Sequence, residues 1–318
     1  MSNELTSDSG ALVRLLLLLV CMLTSSMCDA YRDPMLTPGT VYHANDVQHV
    51  HSLVRKYMRY STAATSFVDF DEGWASCGIA CNSPDVRTVM LNVTWHIDFP
   101  LSDGFVALHH QDREIVVSWA GTHRYRALLM DMAFFTLPYI EGESMNVHSG
   151  FLESVRGMIG PVKQHLEVLM DEFPDYMVVV TGHSKGGAEA ALCALDLVRQ
   201  ISGLRQRLRV WTFGQPRVGD AAFAHYYNRI LGGITFRVTG VADPVVAVPP
   251  QILLDYCHHG HELWIMNNDG DIYVAQNTTE CEDPAGSQSV PFFLRTIQSH
   301  KDYLGLPPPD HADAEFSW

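Results

Sequence analysis

The residues best placed to do chemistry are Gly182-His183-Ser184-Lys185-Gly186, where a serine has a glycine two positions away on either side. Met177-Val178-Val179-Val180, just before it, is apolar and β-branched, the composition of a strand buried on both faces. Behind it Ala188, Ala191, Leu192, Leu195 and Val198 recur at helical spacing and give one apolar face. A tight turn between such a strand and such a helix leaves no room for a Cβ at positions 182 and 186. It also holds the serine in a strained backbone conformation that projects its hydroxyl from the sheet edge. The chemistry implied is nucleophilic catalysis by Ser184.

A serine hydroxyl is a poor nucleophile near neutral pH; it needs a base, and the base needs an acid to orient it. The strand-elbow-helix resembles that of the α/β-hydrolases, in which an acid and then a histidine follow the serine along the chain. Asp243 is the best acid, because it follows the apolar stretch Ile234 to Thr239 and Pro244 fixes the turn after it. Asp220, at an expected helix start, and Asp255, beside a histidine cluster, compete with it. His300, in Ser299-His-Lys-Asp-Tyr303, is the candidate base, with His225, His258, His259 and His261 also downstream of the serine. His258-His-Gly-His261 lacks the i, i+4 helical spacing of a zinc-hydrolase motif, and a strand would point neighbours to opposite faces. Neither a metal nor a cofactor is expected.

The elements that must position these groups alternate. Ala44 to Ser66 reads as an amphipathic helix, followed by strands over Arg87 to Thr94, Phe105 to His109 and Glu114 to Trp119. Gly150 to Phe173 reads as a helix that Gly160-Pro161 bends or breaks. After the elbow come a strand over Leu208 to Phe213, a helix over Asp220 to Leu231 and a strand over Ile234 to Thr239. Glu262 to Met266 and Asp271 to Ala275 form a hairpin around Asn267-Asn-Asp-Gly270. The alternation predicts one α/β domain over 31–318 with a mostly parallel central sheet, helices on both faces and a loose tail from about residue 306.

Composition narrows the partners. The net charge of −15 excludes a nucleic-acid partner, which needs a basic surface, and disfavours anionic membranes while leaving neutral lipid open. Residues 1–30 read as a secretory signal: Arg14, then the apolar run Leu15 to Leu23, too short to span a bilayer, then small residues up to Ala30. An extracellular location makes disulfides reasonable. Cys21 and Cys28 leave with the signal. Cys77 and Cys81 close a small loop, Cys257 reaches Cys281 across the hairpin, and Cys193 is a buried free thiol. Asn92-Val-Thr and Asn277-Thr-Thr are glycosylation sequons.

Taken together, the motifs resemble the class 3 (fungal-type) triacylglycerol lipases over most of the mature chain. They run in the family's order: Val117-Ser-Trp-Ala-Gly-Thr122, Val147-His-Ser-Gly-Phe151, the elbow, Thr212-Phe-Gly-Gln-Pro-Arg-Val-Gly219, Asp243-Pro with Val248-Pro-Pro250, Tyr256 to Trp264, and His300-x-x-Tyr303. The resemblance implies Ser184 as nucleophile, Asp243 as acid, His300 as base and Thr122 in the oxyanion hole. The amide of Lys185, at the helix N-terminus, would be the other oxyanion donor. It also implies a lid from His123 to Pro138, with Leu128, Leu129, Met132 and Phe135 on one helical face over the acyl pocket.

The implied substrate is a lipid ester, most readily an acylglycerol, met at an oil-water or membrane interface by a secreted monomer. A phospholipase A1, a feruloyl-type esterase and a non-catalytic lipid-binding relative are the alternatives. The chain departs from the family pattern at Ala120, where arginine is usual, and at Lys185 and Glu189, which are usually apolar. The last two are four apart and opposite in sign, so they are expected to pair along the helix.

Overall fold

Runs of β-branched and apolar residues build a nine-stranded sheet whose parallel centre carries the elbow. The computed structural model describes residues 36–65, 89–92, 103–122, 135–252, 255–276 and 281–306. The strands in chain order are β1 (Thr40–Tyr42), β2 (Val89–Asn92), β3 (Gly104–His109), β4 (Glu114–Trp119), β5 (Thr136–Pro138), β6 (Asn146–His148), β7 (Met177–His183), β8 (Leu208–Phe213), β9 (Gly219–Asp220), β10 (Thr235–Thr239), β11 (Tyr256–Cys257), β12 (His261–Ile265) and β13 (Ile272–Val274). The main sheet has the order β1-β13-β12-β10-β8-β7-β4-β3-β2. Its centre, β4-β7-β8-β10-β12, is parallel. Both margins are antiparallel: β4-β3-β2 on one side and β12-β13-β1 on the other.

The helices are α1 (Gln48–Thr65), α2 (Ser149–Glu172), α3 (Lys185–Gln200), α4 (Ala221–Leu231) and α5 (Ile297–Lys301). The period-two alternation of β7 shows which face each covers. Val178 and Val180 join one core with Leu152, Val155 and Leu166 of α2, Leu192 and Leu195 of α3, and Phe223 and Tyr227 of α4. On the opposite face, the Thr181 hydroxyl lies 3.0 Å from that of Ser61 on α1. From the neighbouring strand, the Ser118 hydroxyl donates to the Tyr60 carbonyl of α1. Helices therefore cover both faces, and the parallel strands are buried along nearly their whole length.

Three expectations need correction. Helix α2 runs unbroken from Ser149 to Glu172 with Pro161 inside it, so Gly160-Pro161 ends nothing. Packing of Val155, Met158, Val162 and Leu166 into the core on both sides of the proline outweighs the one lost helix hydrogen bond. The first helix is two pieces, a 3-10 turn at Ala44–Asp46 and then α1. Strands β5, β6, β9 and β11 form a second, four-stranded sheet that the sequence did not suggest. Cys257 and Cys281 are bonded, with Cα atoms 5.3 Å apart, and Cys193 is free and buried. Cys77, Cys81, Asn277, the expected signal over 1–30 and the residues beyond Leu306 lie outside the described residues, and Asn92 ends β2. Among the described residues, no helix is long and apolar enough to cross a membrane.

Candidate active site

The elbow is where strand β7 turns into helix α3. Ser184 sits between them with φ 58° and ψ −127°, the left-handed side of backbone space that a serine enters only under compulsion. The glycines on either side explain the compulsion. A Cβ on Gly182 would lie 2.2 Å from the Gly186 carbonyl oxygen, and one on Gly186 would lie 2.4 Å from that of Trp119. The chain can close this turn only where both side chains are absent. Serine is a favoured helix cap, yet Ser184 makes no capping bond, and its buried Oγ has no hydrogen-bond partner among the described residues. A buried hydroxyl held in strain and left unbonded is unusual enough to indicate a role outside folding.

Asp243 and His300 meet at the same edge of the sheet. Asp243 lies in the turn after β10, and His300 lies on α5; both side chains are fully buried. His300 Nδ1 is 2.8 Å from Asp243 Oδ2. The Tyr303 hydroxyl donates to the same oxygen at 3.1 Å, and the Val245 amide donates to Oδ1 at 2.7 Å. Burial alone would raise the Asp243 pKa. The charge and hydrogen bond of His300, with the Val245 N–H, outweigh burial and hold the carboxyl below its ordinary value. Asp243 is an anion fixed by three donors.

Contacts on both sides of Ser184 tie it to that pair. Its amide donates to the Phe213 carbonyl at 2.8 Å. At the next residue, Gly214 with φ +54°, a Cβ would fall 2.7 Å from His300 Nδ1 and 2.8 Å from Asp243 Oδ2. On the other side, His183 stacks on His300 with ring centroids 4.5 Å apart, and its Nε2 donates to the His300 carbonyl at 2.8 Å. Burial, and next the neighbouring His300, push the His183 pKa down to about 3, so that ring stays neutral.

The backbone on the far side of the elbow belongs to the end of β4. The Gly121 amide donates to Thr65 Oγ1 at 2.9 Å, so the last residue of α1 holds the stretch that ends in Thr122. A Cβ on Gly121 would come 2.9 Å from the His183 carbonyl oxygen, which places this stretch beside the elbow. Lys185 is the first residue of α3, where the amides face outward and the helix dipole favours an anion. Two backbone segments, the end of β4 and the first turn of α3, therefore flank Ser184.

The competing residues sit elsewhere in structural roles. Asp220 caps α4 by accepting from the Phe223 amide at 2.8 Å and also takes the Asn146 amide. Asp255 makes a left-handed turn whose carbonyl receives the Ala221 amide. His258 is bonded to the Val246 carbonyl, and His259 stacks on Tyr227 at 3.8 Å and accepts from Gln215. His225 is exposed on α4, whereas Asp243 and His300 are buried. One group of potential metal ligands, His109, Asp112 and Glu114, gathers at the β3–β4 turn. The Lys56 ammonium already lies 2.5 Å from Asp112 and 2.6 Å from Glu114, filling the place of a cation.

In the lid segment, Leu128, Leu129 and Met132 lie outside the described residues. Phe135 is not on a helix: its carbonyl accepts the Ser149 amide as the chain enters β5, and its side chain is 74% exposed. Tyr303, Arg295 and Thr65 were missed as parts of the site. The three-residue spacing of His300 and Tyr303 was the available signal for the first.

A family model for lipase (class 3) matches residues 116–253, a span that runs from within β4 past the turn bearing Asp243. The chain is 35% identical to the lipase of Rhizomucor miehei over 219 residues, 67% of this chain and 58% of that one. It is 34% identical over 218 residues to the secreted mono- and diacylglycerol lipase 1 of Fusarium solani, covering 66% of this chain and 62% of the other. Among solved structures it superposes, with a TM-score of 0.74 and 29% identity, on a triacylglycerol lipase whose catalytic centre is a serine-protease triad, covering 85% of this chain and 98% of that one. The chain belongs to the class 3 lipase family. Its fold is that of the α/β-hydrolases. It spans little more than half the length of the curated relatives it matches.

Within the family the chain's own departures can be placed. Lys185 Nζ lies 3.0 Å and 3.3 Å from the two carboxylate oxygens of Glu189. Glu189 is 1% exposed and Lys185 18%, so the pair is asymmetric. Replacing Lys185 by Met removes a positive partner from a buried carboxylate and is expected to cost about 3 kcal/mol. Glu189→Gln leaves a lysine that can reach water and is expected to cost about 1 kcal/mol. Urea unfolding of both single variants and the double variant checks this; equal losses that simply add would show no coupling.

The buried histidines also set an acid limit. His183, His258 and His259 all have pKa values lowered by burial, the last two aided by the nearby Arg237. The unfolded chain binds protons at these rings below about pH 6.5, while the folded chain does not. Stability is therefore fully present above about pH 6.5 and declines as pH falls toward 3, by up to about 1.4 kcal/mol per pH unit for each ring. Asp243, with a lowered pKa, loses its contribution in the same direction at lower pH. Urea midpoints measured from about pH 7 down to about pH 5 should fall steadily; a flat profile would mean that these rings are charged in the fold.

Proposed function

We propose that this protein is a secreted serine esterase that hydrolyses the carboxylic ester bonds of lipids, acylglycerols foremost. The observation that carries this reading is the buried 2.8 Å Asp243–His300 bond beside a strained serine whose hydroxyl serves no structural bond. In the proposed reaction His300 Nε2 takes the Ser184 proton as Oγ attacks the ester carbonyl. The negative oxygen so formed is received by the Lys185 and Thr122 amides. His300 then returns the proton to the leaving alcohol, which breaks the ester bond. Water, activated by the same ring, releases the fatty acid. Asp243 holds the imidazole tautomer through Nδ1, leaving Nε2 toward the serine.

Support for a lipid ester substrate comes from the relatives, which are named as lipases and in one case as a secreted mono- and diacylglycerol lipase. Secretion agrees with the leader at 1–30 and with the Cys257–Cys281 disulfide. A panel of mono-, di- and triacylglycerols, phosphatidylcholine and feruloyl esters, assayed with purified protein, tests the reading. Release of fatty acid from glycerides faster than from the other two is the expected result. Preferential cleavage of phosphatidylcholine or feruloyl ester would replace it with the corresponding esterase, and no cleavage of any ester would make the chain a lipid-binding relative.

A further inference from the structure

The connection between the disulfide and the helix bearing His300 has no part in the chemistry above. From Pro284 to Leu294 it contains no charged residue, in a chain whose net charge is −15. At its end Phe292–Leu294 form a single 3-10 turn whose side chains stand 60%, 84% and 56% exposed. Contiguous exposed apolar side chains of this size mark a surface that something else covers.

The turn is fixed to the candidate site. Arg295, next to it, donates to the Asp243 carbonyl and the Ser287 carbonyl at 2.6 Å each, and to the Val290 carbonyl at 3.1 Å. The Thr296 amide bonds to the Ala242 carbonyl. The knuckle is thus pinned to the turn that follows β10, at the carboxyl edge of the parallel strands, where Ser184 lies. The acids that open the connection point inward: Glu282 is paired with Arg217, and Asp283 accepts from Tyr273, Gln276 and Ala285. The knuckle therefore presents apolar surface with no charge of its own.

We propose that Phe292-Phe293-Leu294 is a docking knuckle for an uncharged or zwitterionic lipid surface. The proposal deepens the ester-lipase reading by assigning how the site reaches its substrate phase. Charge selects the occupant: an anionic surface repels a chain of net charge −15, while a neutral one meets an uncharged patch without opposition. Area argues against a second copy of the chain. A stable protein interface buries about 800 Å² on each partner, more than three partly exposed side chains of about 150–250 Å² each can supply. Shallow insertion into lipid needs only a few such side chains.

The test compares the full-length protein with Phe293→Ser, Phe292→Ser/Phe293→Ser, Phe293→Trp and Val168→Ser. Val168 is 60% exposed near the end of α2, which leads into the amino edge of β7, opposite the site, and serves as the control. Partition onto phosphatidylcholine vesicles is expected to fall about ten-fold in Phe293→Ser and further in the double variant. Val168→Ser should match the parent, and Phe293→Trp should bind and shift its fluorescence to the blue. Hydrolysis of a water-soluble short-chain ester should stay unchanged in every variant. Phosphatidylglycerol vesicles should bind more weakly than phosphatidylcholine at low salt, with salt narrowing the gap.

Unchanged partition in Phe293→Ser overturns the proposal, as does an equal fall in soluble-ester hydrolysis, which would mean the turn only supports the site. A dimer that Phe293→Ser dissolves would assign the patch to a second copy instead. If the parent cleaves no ester at all, the function proposed above fails, while the partition measurements still decide the knuckle.

Discussion

Ser184→Ala is expected to lower kcat by about 10⁶-fold and abolish covalent labelling by a fluorophosphonate probe, with little change in stability. The kinetic part follows from the mechanism: without Oγ no acyl-enzyme forms, and only the oxyanion donors and substrate binding remain. The stability part follows from the structure. Ser184 Oγ has no hydrogen-bond partner among the described residues and does not cap α3, so its loss removes no bond that holds the fold. Alanine suffers the same strain at φ 58° as serine does, so the elbow neither relaxes nor tightens. A variant that kept its esterase activity, with the elbow folded, would place the nucleophile elsewhere in the chain.

Asp243→Asn is expected to lower kcat by about 10⁴-fold while the protein remains folded. The carboxylate accepts from His300 Nδ1 and the Tyr303 hydroxyl at Oδ2, and from the Val245 amide at Oδ1. An amide of the same size keeps one oxygen for the Val245 N–H and turns its NH₂ toward the ring. Facing a donor, the imidazole presents Nδ1 as an acceptor and carries its proton on Nε2, where it can no longer take one from Ser184. The negative charge that stabilises the imidazolium is lost as well. Asp255→Asn and Asp220→Asn serve as controls. Asp220 caps α4, a role asparagine also fills, and both variants should retain parental kcat. A large loss in Asp255→Asn with a small one in Asp243→Asn would reassign the acid.

The two predictions rest on different kinds of information. The proposed nucleophile was legible in the chain because everything that makes an elbow is local. The β-branched run, the two glycines and the helical spacing after them lie within residues 176–199, and each acts on the backbone beside it. Strands β4 and β8 were likewise bounded correctly, since strands buried on both faces are rich in apolar residues. The resemblance in motif order favoured the candidates Asp243 and His300, which are 57 residues apart in sequence, over their competitors.

What the tertiary structure decided is which distant groups meet, and what each is for. Several aspartates and histidines follow Ser184; among the described residues, the packing of the turn after β10 against α5 brings Asp243 and His300 together, while Asp220 caps α4 and His259 packs on Tyr227. Helix α5 has five residues, and the strands of the small sheet two or three, too short for any periodicity to register. The path of α2 through Pro161 was decided by core packing on both sides of it, which local propensity does not contain. The Lys185–Glu189 pair was visible as a spacing, but its unequal burial depends on what surrounds α3. A sequence fixes conformations by contacts between neighbours in the chain; burial and long-range hydrogen bonds exist only once the chain has folded, and the proposed acid and base depend on both.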